Sequence, residues 1–164
     1  MDEKVEKNFL DLLEKNQKII HKICRIYSNE EGYKDLFQEI VIQLWKSYSS
    51  FKGESKFTTW MYSVSLNTAM SLFRKVKKHE TKINIELVQD KIKHDEINDD
   101  DEVKVKKMYQ AIHQLNDVDK ALIMMYLDGK DYSEISRILG ITEGNARVKM
   151  NRARNKLKQL IKNR

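Results

Sequence analysis

The predicted helix from Thr142 to Lys158 carries a dense set of side chains that donate hydrogen bonds. They are Asn145, Arg147, Lys149, Asn151, Arg152, Arg154, Lys156 and Lys158. Guanidinium, ammonium and amide groups bind phosphate oxygens and the edges of bases, so this helix is suited to nucleic acid. An apolar stripe at i, i+4, i+7 and i+11 keeps those groups on the other faces. It consists of Ala146, Met150, Ala153 and Leu157.

A shorter helix and a turn must position that basic helix. Asp131 and Glu134 have the spacing of an N-terminal capping box. A short apolar face follows, at Ile135, Ile138 and Leu139. Gly140 can take the left-handed conformation that ends a helix, and the Thr142 hydroxyl can cap the next one. The pattern predicts a DNA-binding helix-turn-helix, because turn, caps, stripe and charge all agree. The alternative is two packed helices with a solvated basic face.

A second candidate site lies in the segment from Ser49 to Tyr62, where aromatic residues crowd around a loop that contains Gly53 and two lysines. The residues are Phe51, Lys52, Lys56, Phe57, Trp60 and Tyr62. Aromatic rings stack on unpaired bases while cations hold the backbone, so the segment suits single-stranded DNA. The same rings could instead fill the core, which is the interpretation we favour for Trp60. The sequence leaves both roles open for the cluster.

The remaining periodicity predicts helices only. A first helix spans residues 3 to about 27, followed by a polar break from Ser28 to Gly32. A second runs from Lys34 to Tyr48, and its polar face, taken alone, indicates no more than solvation. A third runs from Thr58 to Lys78 and ends in cations that suit either the helix dipole or phosphate. Two more precede the helix-turn-helix, with Val105, Tyr126 and other apolar residues facing inward.

Charge divides the chain into three blocks. Residues 1–79 carry a net charge of +4, residues 80–102 carry −6, and residues 103–164 carry +8. We therefore predict an all-α protein of two small helical domains, residues 1–79 and 104–164. An acidic flexible linker, residues 80–103, joins them. Two basic blocks flanking an acidic one indicate two modules that face nucleic acid.

Several functional classes are disfavoured. The charged N-terminus lacks a signal peptide, no stretch is long and apolar enough to span a membrane, and Cys24 is the single cysteine. These features favour a cytoplasmic protein without disulfides. The histidines and the cysteine lack metal-ligand spacing, so we expect no metal and no cofactor. The only carboxylate cluster, residues 99–102, has no partner histidine, which disfavours an enzyme acting on nucleic acid.

Two separated stretches resemble the sigma-70 family, and within it the extracytoplasmic-function (ECF) group of sigma factors. The first is DLFQEIVIQLWKSYSSFKGESKFTTWMYSVSLNTAMSLFRK, residues 35–75, which is similar to the family's second domain. The other is LNDVDKALIMMYLDGKDYSEISRILGITEGNARVKMNRARNKL, residues 115–157, which is similar to its fourth domain. The two domains alone, in this order, are the minimal layout of that group.

The resemblance implies a function and its residues. The chain would bind core RNA polymerase and direct promoter recognition. The polymerase-binding residues would be Asp35, Gln38, Glu39, Gln43 and Trp45. The residues holding the unpaired non-template strand of the −10 element would be Phe51, Lys52, Lys56, Phe57, Asn67, Arg74 and Lys75. Those in the duplex major groove at −35 would be Thr142, Asn145, Arg147, Val148, Lys149 and Arg152. An anti-sigma factor is a further partner that the resemblance implies.

The sequence also departs from the family pattern. Leu66 stands where many members carry Arg, Ser71 where Asp is common, and Val148 with Lys149 where Ser-Arg is frequent. The preferred promoter sequence is therefore not predicted. The alternative function is a stand-alone helix-turn-helix transcription regulator. That class needs a dimer interface or an effector pocket, and the sequence has neither a heptad run nor a ligand-domain pattern.

Overall fold

The computed structural model describes residues 3–80 and 99–162, and within these ranges it contains α-helices and no strand. In chain order they are α1 (Glu3–Tyr27), α2 (Glu30–Tyr48), α3 (Phe57–Glu80), α4 (Asp99–His113), α5 (Asp117–Leu127), α6 (Tyr132–Leu139) and α7 (Glu143–Lys162). The predicted all-α fold is confirmed. The chain divides into two compact units, Met1–Phe73 and Arg74–Arg164.

In the first unit, α1 and α2 pack together and α3 completes the core. The apolar stripe of α1 buries Phe9, Ile20 and Ile23, and α2 buries Ile40 and Leu44. The contributions of α3 are Met61, Tyr62, Leu66, Ala69 and Met70. Burial of this many large apolar side chains is the main force that holds three amphipathic helices together.

The second helix begins earlier than its apolar pattern predicts. The carbonyl oxygen of the Asn29 side chain accepts a hydrogen bond from Gly32 N at 2.8 Å, so Asn29 is the N-cap. Glu30 and Glu31 occupy the first turn, where carboxylates are stabilised by the helix dipole. The predicted break from Ser28 to Gly32 is therefore wrong in length. The first turn of α2 is polar, so the apolar periodicity could not predict that the helix begins at Glu30.

In the second unit, α7 packs against α4, α5 and α6. Its buried stripe is Ala146, Met150 and Ala153, each with no exposed surface, while Leu157 is half-buried. The facing core residues include Ile112, Leu115, Leu122, Met125, Ile135 and Ile138. Two alanines on the stripe let the neighbouring helices approach α7 closely.

The predicted helix-turn-helix is confirmed, including its caps. Asp131 Oδ1 accepts a hydrogen bond from Glu134 N at 2.7 Å, and Gly140 ends α6 with φ 65°. Thr142 Oγ1 lies 3.2 Å from Asn145 N, so it caps the start of α7. One helix earlier, the Asn116 side chain caps α5 by accepting from Asp119 N at 2.8 Å. The side chains of Asp131, Thr142 and Asn116 each accept from a backbone N–H that has no partner within its helix.

Some inward predictions are wrong. Val105 and Tyr126 are 48% and 44% exposed. Periodicity predicts which face of a helix is apolar. It does not predict how far along that face a neighbouring helix covers it, so apolar residues beyond the contact remain exposed. The predicted linker mostly lies outside the described residues, which lack 81–98; Glu80 ends α3, and the backbone of 99–103 is helical. Among the described helices, none is both long and apolar enough to cross a membrane.

Candidate functional site

The outward surface of α7 presents most of the predicted −35 residues. Because Ala146 and Met150 are buried, the side chains of Asn145, Arg147 and Val148 face solvent. Arg152 and Thr142 are also exposed, whereas Lys149 is half-buried. Val148 is an exposed apolar residue, at 50%, on an otherwise polar surface. The arrangement offers several hydrogen-bond donors and the methyl groups of Thr142 and Val148 on one surface, which is a surface that can read base edges.

Arg147 is held from two sides although it is exposed. Its guanidinium carbon lies 4.5 Å from the centroid of the Tyr132 ring, in a cation–π contact. Its Nη2 atom lies 3.8 Å from Glu143 Oε2, one turn earlier on α7. The same three residues line a shallow cavity of about 280 Å³, together with Tyr126, Lys130 and Ile135. These contacts restrict the directions that the guanidinium can take.

The aromatic residues of the loop form a cluster. Ring centroids are 5.8 Å apart for Phe51 and Phe57, 5.2 Å for Phe51 and Trp60, and 5.4 Å for Phe57 and Trp60. Tyr48, from the end of α2, joins at 6.5 Å from Phe51 and 6.5 Å from Phe57. All four rings are half-buried, so they pack on one another and still expose part of their surface.

The aromatic cluster differs from its predicted membership. Tyr62 is 3% exposed and belongs to the core, because α3 turns it away from the loop. Tyr48 was missed, although it precedes Phe51 by only three residues and closes a helix. Asn8 of α1 was also missed, and its Nδ2 donates to the Tyr48 hydroxyl at 2.9 Å. A contact across 40 residues leaves no signal in the local sequence.

The predicted basic and polar residues of the −10 site fall in two places. Lys52 and Lys56 are exposed beside Gly53, whose φ of 74° turns the loop. Asn67 is exposed on α3, and its neighbour Leu66 is 1% exposed, so the residue that replaces the family Arg is a core residue. Arg74 and Lys75 are exposed and belong to the second compact unit, where Arg74 Nε lies 2.5 Å from Asp117 Oδ2.

The outer face of α2 carries the predicted polymerase-binding residues. Asp35 and Gln38 are exposed, while Glu39 and Gln43 are half-buried and joined by a 2.7 Å hydrogen bond from Nε2 to Oε1. Trp45 is half-buried, and its ring lies 4.9 Å from that of Phe9. Ile42 is 44% exposed and follows Gln38 by one turn. A single exposed isoleucine is common on protein surfaces, so the assignment of this face depends on the family resemblance.

Burial shifts the pKa of several groups, among them Lys120 and Cys24. Burial lowers the pKa of Lys120 to about 8, helped by the Lys77 charge and opposed by Asp117. Burial raises the pKa of the Cys24 thiol to about 12, so the thiol is inert at neutral pH. Among the described residues, no group of three His, Cys, Asp or Glu side chains could hold a metal ion.

Comparison with known proteins assigns both units. Residues 12–79 match the family profile of Sigma-70 region 2, and residues 106–157 match that of Sigma-70, region 4. The chain belongs to the sigma-70 family. Neither region includes residues 81–98, which separate the two ranges that the structure describes.

Relatives place this sigma factor in the ECF group. It is 26% identical to the ECF RNA polymerase sigma-E factor of Haemophilus influenzae, over 95% of this chain and 88% of the relative. It is 26% identical to the ECF RNA polymerase sigma factor SigW of Bacillus subtilis, over 94% and 89%. The RNA polymerase sigma factor YlaC of Bacillus subtilis is 29% identical, over 87% and 85%.

Solved structures share the fold of this sigma factor. RpoE of Bartonella quintana, determined in complex with the anti-sigma factor NepR, matches with a TM-score of 0.77 and 20% identity, covering 95% of this chain and 98% of that one. CnrH, determined with the cytosolic domain of CnrY, matches with a TM-score of 0.68 and 16% identity, covering 96% and 89%. The predicted sigma-factor function, promoter recognition, is confirmed by the family matches. The residue assignments remain predictions.

Proposed function

We propose that this sigma factor binds core RNA polymerase through the outer face of α2 and carries it to promoters with −10 and −35 elements. The observation that carries the proposal is the match of two sigma regions in one chain, in the family order. A stand-alone helix-turn-helix regulator would use only the second of them. We propose the domain boundaries 1–79 and 104–164, with residues 80–103 as the linker, and the cytoplasm as the site of action.

In the proposed −35 complex, α7 lies in the major groove. Arg147 is the residue proposed to read a base, because it sits near the start of α7, where such helices meet base edges. Arg152 lies more than one turn further along and is proposed to contact phosphate, which positions the helix without reading sequence. The exposed Val148 side chain is suited to contact with a thymine methyl group.

In the proposed −10 complex, the exposed parts of the Phe51 and Phe57 rings stack on unpaired bases, while Lys52 and Lys56 bind the backbone. Asn67, exposed on α3, contributes a hydrogen bond to the same strand. Binding that is stronger to the unpaired strand than to the duplex shifts the equilibrium toward the open promoter. Melting then needs no nucleotide hydrolysis, and the sigma factor acts by binding and not by catalysis.

Two weak DNA contacts on one chain act together. A second site bound through a tether is an intramolecular event, so its effective concentration can reach the millimolar range. Neither domain needs high affinity alone, and a promoter is selected only when both elements are present. The tether proposed here is the linker of residues 80–103, whose net charge is negative over residues 80–102.

An anti-sigma factor is proposed as a third partner. RpoE of Bartonella quintana and CnrH were each determined with a protein bound, the anti-sigma factor NepR in one case and the cytosolic domain of CnrY in the other.

Transcription in vitro tests the proposed function. Core RNA polymerase is supplied with promoter fragments from the host, with and without this chain, and the transcripts are mapped. We expect transcripts with defined start sites only when the chain is present. A matched chain that carries Asp35→Lys and Glu39→Lys serves as the negative control. Equal transcription without the chain, or association with DNA but never with core polymerase, would contradict the proposal and favour a stand-alone regulator.

A further inference from the structure

The basic residues of α1 lie on one stripe, and no function described above uses them. Helix α1 contains six Lys and Arg residues: Lys4, Lys7, Lys15, Lys18, Lys22 and Arg25. At 3.6 residues per turn, all six fall within about 80° of arc. Every one of them is exposed. The stripe runs for about 30 Å along the helix, close to the length of one turn of duplex DNA.

Acidic residues accompany the stripe only in the first half of α1. Glu3, Glu6 and Glu14 lie to one side of the stripe, and Asp11 lies within it. Glu3 and Lys7, Asp11 and Lys15, and Glu14 and Lys18 are four residues apart, so they can pair as in an ordinary solvated helix. From Lys15 to Arg25 the helix contains no acidic residue, and the steps of three and four residues between Lys15, Lys18, Lys22 and Arg25 join like charges. Like charges at that spacing cost helix stability, which favours a binding role for this half of the stripe.

The stripe is continuous with the proposed −10 site. Asn8 lies on the edge of the stripe, one turn after Lys4 and about two turns before Lys15. Its side chain donates to the Tyr48 hydroxyl, and the Tyr48 ring is in contact with Phe51 and Phe57. Phe9, the next residue, packs its ring 5.0 Å from that of Tyr48. The N-terminal end of the stripe therefore lies beside the cluster proposed to hold the unpaired strand.

The apolar face of α1 excludes one class of anionic partner. A membrane-surface helix needs its apolar face free to enter the lipid. In α1 the apolar face is used in the core, with Phe9 at 2% exposure and Ile20 and Ile23 at 0%. Val5 and Leu10 are exposed on α1, at 36% and 53%, but they lie outside the stripe and form no continuous apolar face. A stripe of cations of this kind suits a polyanion that is bound through charge, and duplex DNA is such a polymer.

We propose that the α1 stripe binds the phosphate backbone of promoter DNA next to the −10 element, without reading its sequence. The inference rests on the proposed function, since it needs the first unit to sit at the −10 element. The contact adds salt-dependent affinity and helps to hold the duplex where it adjoins the melted segment. The promoter affinity of polymerase that carries this sigma factor would then depend more strongly on ionic strength than it would with the −10 and −35 contacts alone.

A charge-matched comparison tests the inference. One variant carries Lys7→Gln, Lys15→Gln and Lys18→Gln, and its control carries Lys34→Gln, Lys106→Gln and Lys107→Gln, three exposed lysines elsewhere. Promoter binding by reconstituted holoenzyme is measured across a salt series. Each lost phosphate contact lowers the slope of log K against log salt by about 0.9. We expect the stripe variant to lose about 1–3 from the slope, equally on promoters with altered −35 sequence, and the control to lose nothing.

Two outcomes overturn the inference, and a third overturns the proposed function on which it rests. An unchanged slope in the stripe variant, while the wild-type chain transcribes normally, contradicts the inference and leaves the proposed function intact. A wild-type chain that fails to transcribe contradicts the proposed function itself. If the stripe variant binds core polymerase more weakly in the absence of DNA, the stripe faces an acidic protein surface instead.

Site-specific crosslinking gives an independent reading. Cys24 is buried, so a thiol-reactive photocrosslinker attaches selectively to an introduced cysteine. We expect Lys15→Cys and Lys18→Cys holoenzymes to crosslink to promoter DNA bordering the −10 element. Glu6→Cys, on the acidic side of α1, should not. Crosslinks from the two lysine positions to polymerase subunits and not to DNA would contradict the inference.

Discussion

The guanidinium carbon of Arg147 lies 4.5 Å from the centroid of the Tyr132 ring, so the first residue of α6 restrains a side chain near the start of α7. An exposed arginine normally samples many rotamers, and fixing one costs free energy when it binds DNA. Glu143 Oε2 lies 3.8 Å from Arg147 Nη2 on another side. Together, the Tyr132 ring and Glu143 reduce the number of Arg147 rotamers before DNA binds.

Arg147→Ala should weaken binding to the cognate −35 site by about 1–3 kcal/mol and relax preference at one base pair. The reason is the loss of a side chain proposed to contact a base edge. Binding to a panel of single-base −35 variants, across a salt series, measures both effects. Arg152→Ala is the control, and it should weaken all sequences about equally and flatten the salt dependence. If Arg147→Ala weakens binding equally to all the −35 variants, Arg147 contacts phosphate and does not read a base.

Tyr132→Leu should weaken cognate binding by about 0.5–1 kcal/mol, the usual size of an exposed cation–π contact. Tyr132→Phe keeps the ring and should bind like the wild type. In a chain that already carries Arg147→Ala, the leucine substitution should have no further effect, because the ring then has no guanidinium to restrain. Equal losses in both backgrounds would show that Tyr132 acts on DNA directly or on the fold.

Reversing charge at Asp35 and Glu39 should weaken association with core polymerase at least tenfold without altering helicity. Neither side chain belongs to the buried stripe of α2, whose members are Leu36, Ile40 and Leu44. Competition for core polymerase, together with circular dichroism, measures the two effects. Lys34→Glu on the same helix is a matched control outside the predicted set. If the double Lys variant competes normally for core polymerase, the outer face of α2 is not the polymerase-binding surface.

Phe57→Ala with Asn67→Ala should reduce open-complex formation more than closed-complex binding. The exposed part of the Phe57 ring and the Asn67 amide are proposed to hold the unpaired strand, which exists only in the open complex. Permanganate reactivity of −10 thymines reports melting, and a gel shift reports closed binding. The thermal midpoint must be measured as well, since Phe57 packs 5.4 Å from Trp60. Normal melting would make the cluster a structural element only.

The pH dependence of stability should carry the signature of Lys120. Its pKa falls from 10.5 to about 8 on folding, so between those values the unfolded chain binds more protons. Unfolding free energy should therefore rise as pH increases from 8 toward 10.5, by up to about 3 kcal/mol. Lys120→Met should remove that rise. Denaturant unfolding of both chains at several pH values checks it, and parallel curves would contradict the assignment.

Local sequence was sufficient to predict the structure wherever a single residue determines a cap or a turn. The Asp131 cap, the Gly140 turn and the Thr142 cap of the helix-turn-helix all follow from residue chemistry within a few positions. The buried stripe of α7 likewise follows from a simple period. These features depend on contacts between near neighbours, which is why a single sequence predicts them.

Features that depend on distant residues were missed or misjudged. Tyr126 has an apolar position in α5, yet it is exposed, with Arg154 of α7 lying 4.9 Å from its ring centroid. Tyr62 lies among loop aromatics in sequence, yet the turn of α3 carries it into the core. The hydrogen bond from Asn8 to Tyr48 joins α1 to the end of α2. Nothing in the local sequence around either residue predicts that these two side chains meet. Tertiary packing decides each of these cases.

The placement of the two tryptophans has an optical consequence. Trp45 and Trp60 are the only ones in the chain, and both lie within residues 1–73, each packed against other rings. Intrinsic emission excited at 295 nm (roughly where tryptophan alone absorbs) therefore reports on the first unit and is silent about the second. A base that stacks on the ring cluster would quench Trp60. Strand capture could thus be followed in real time without any added dye.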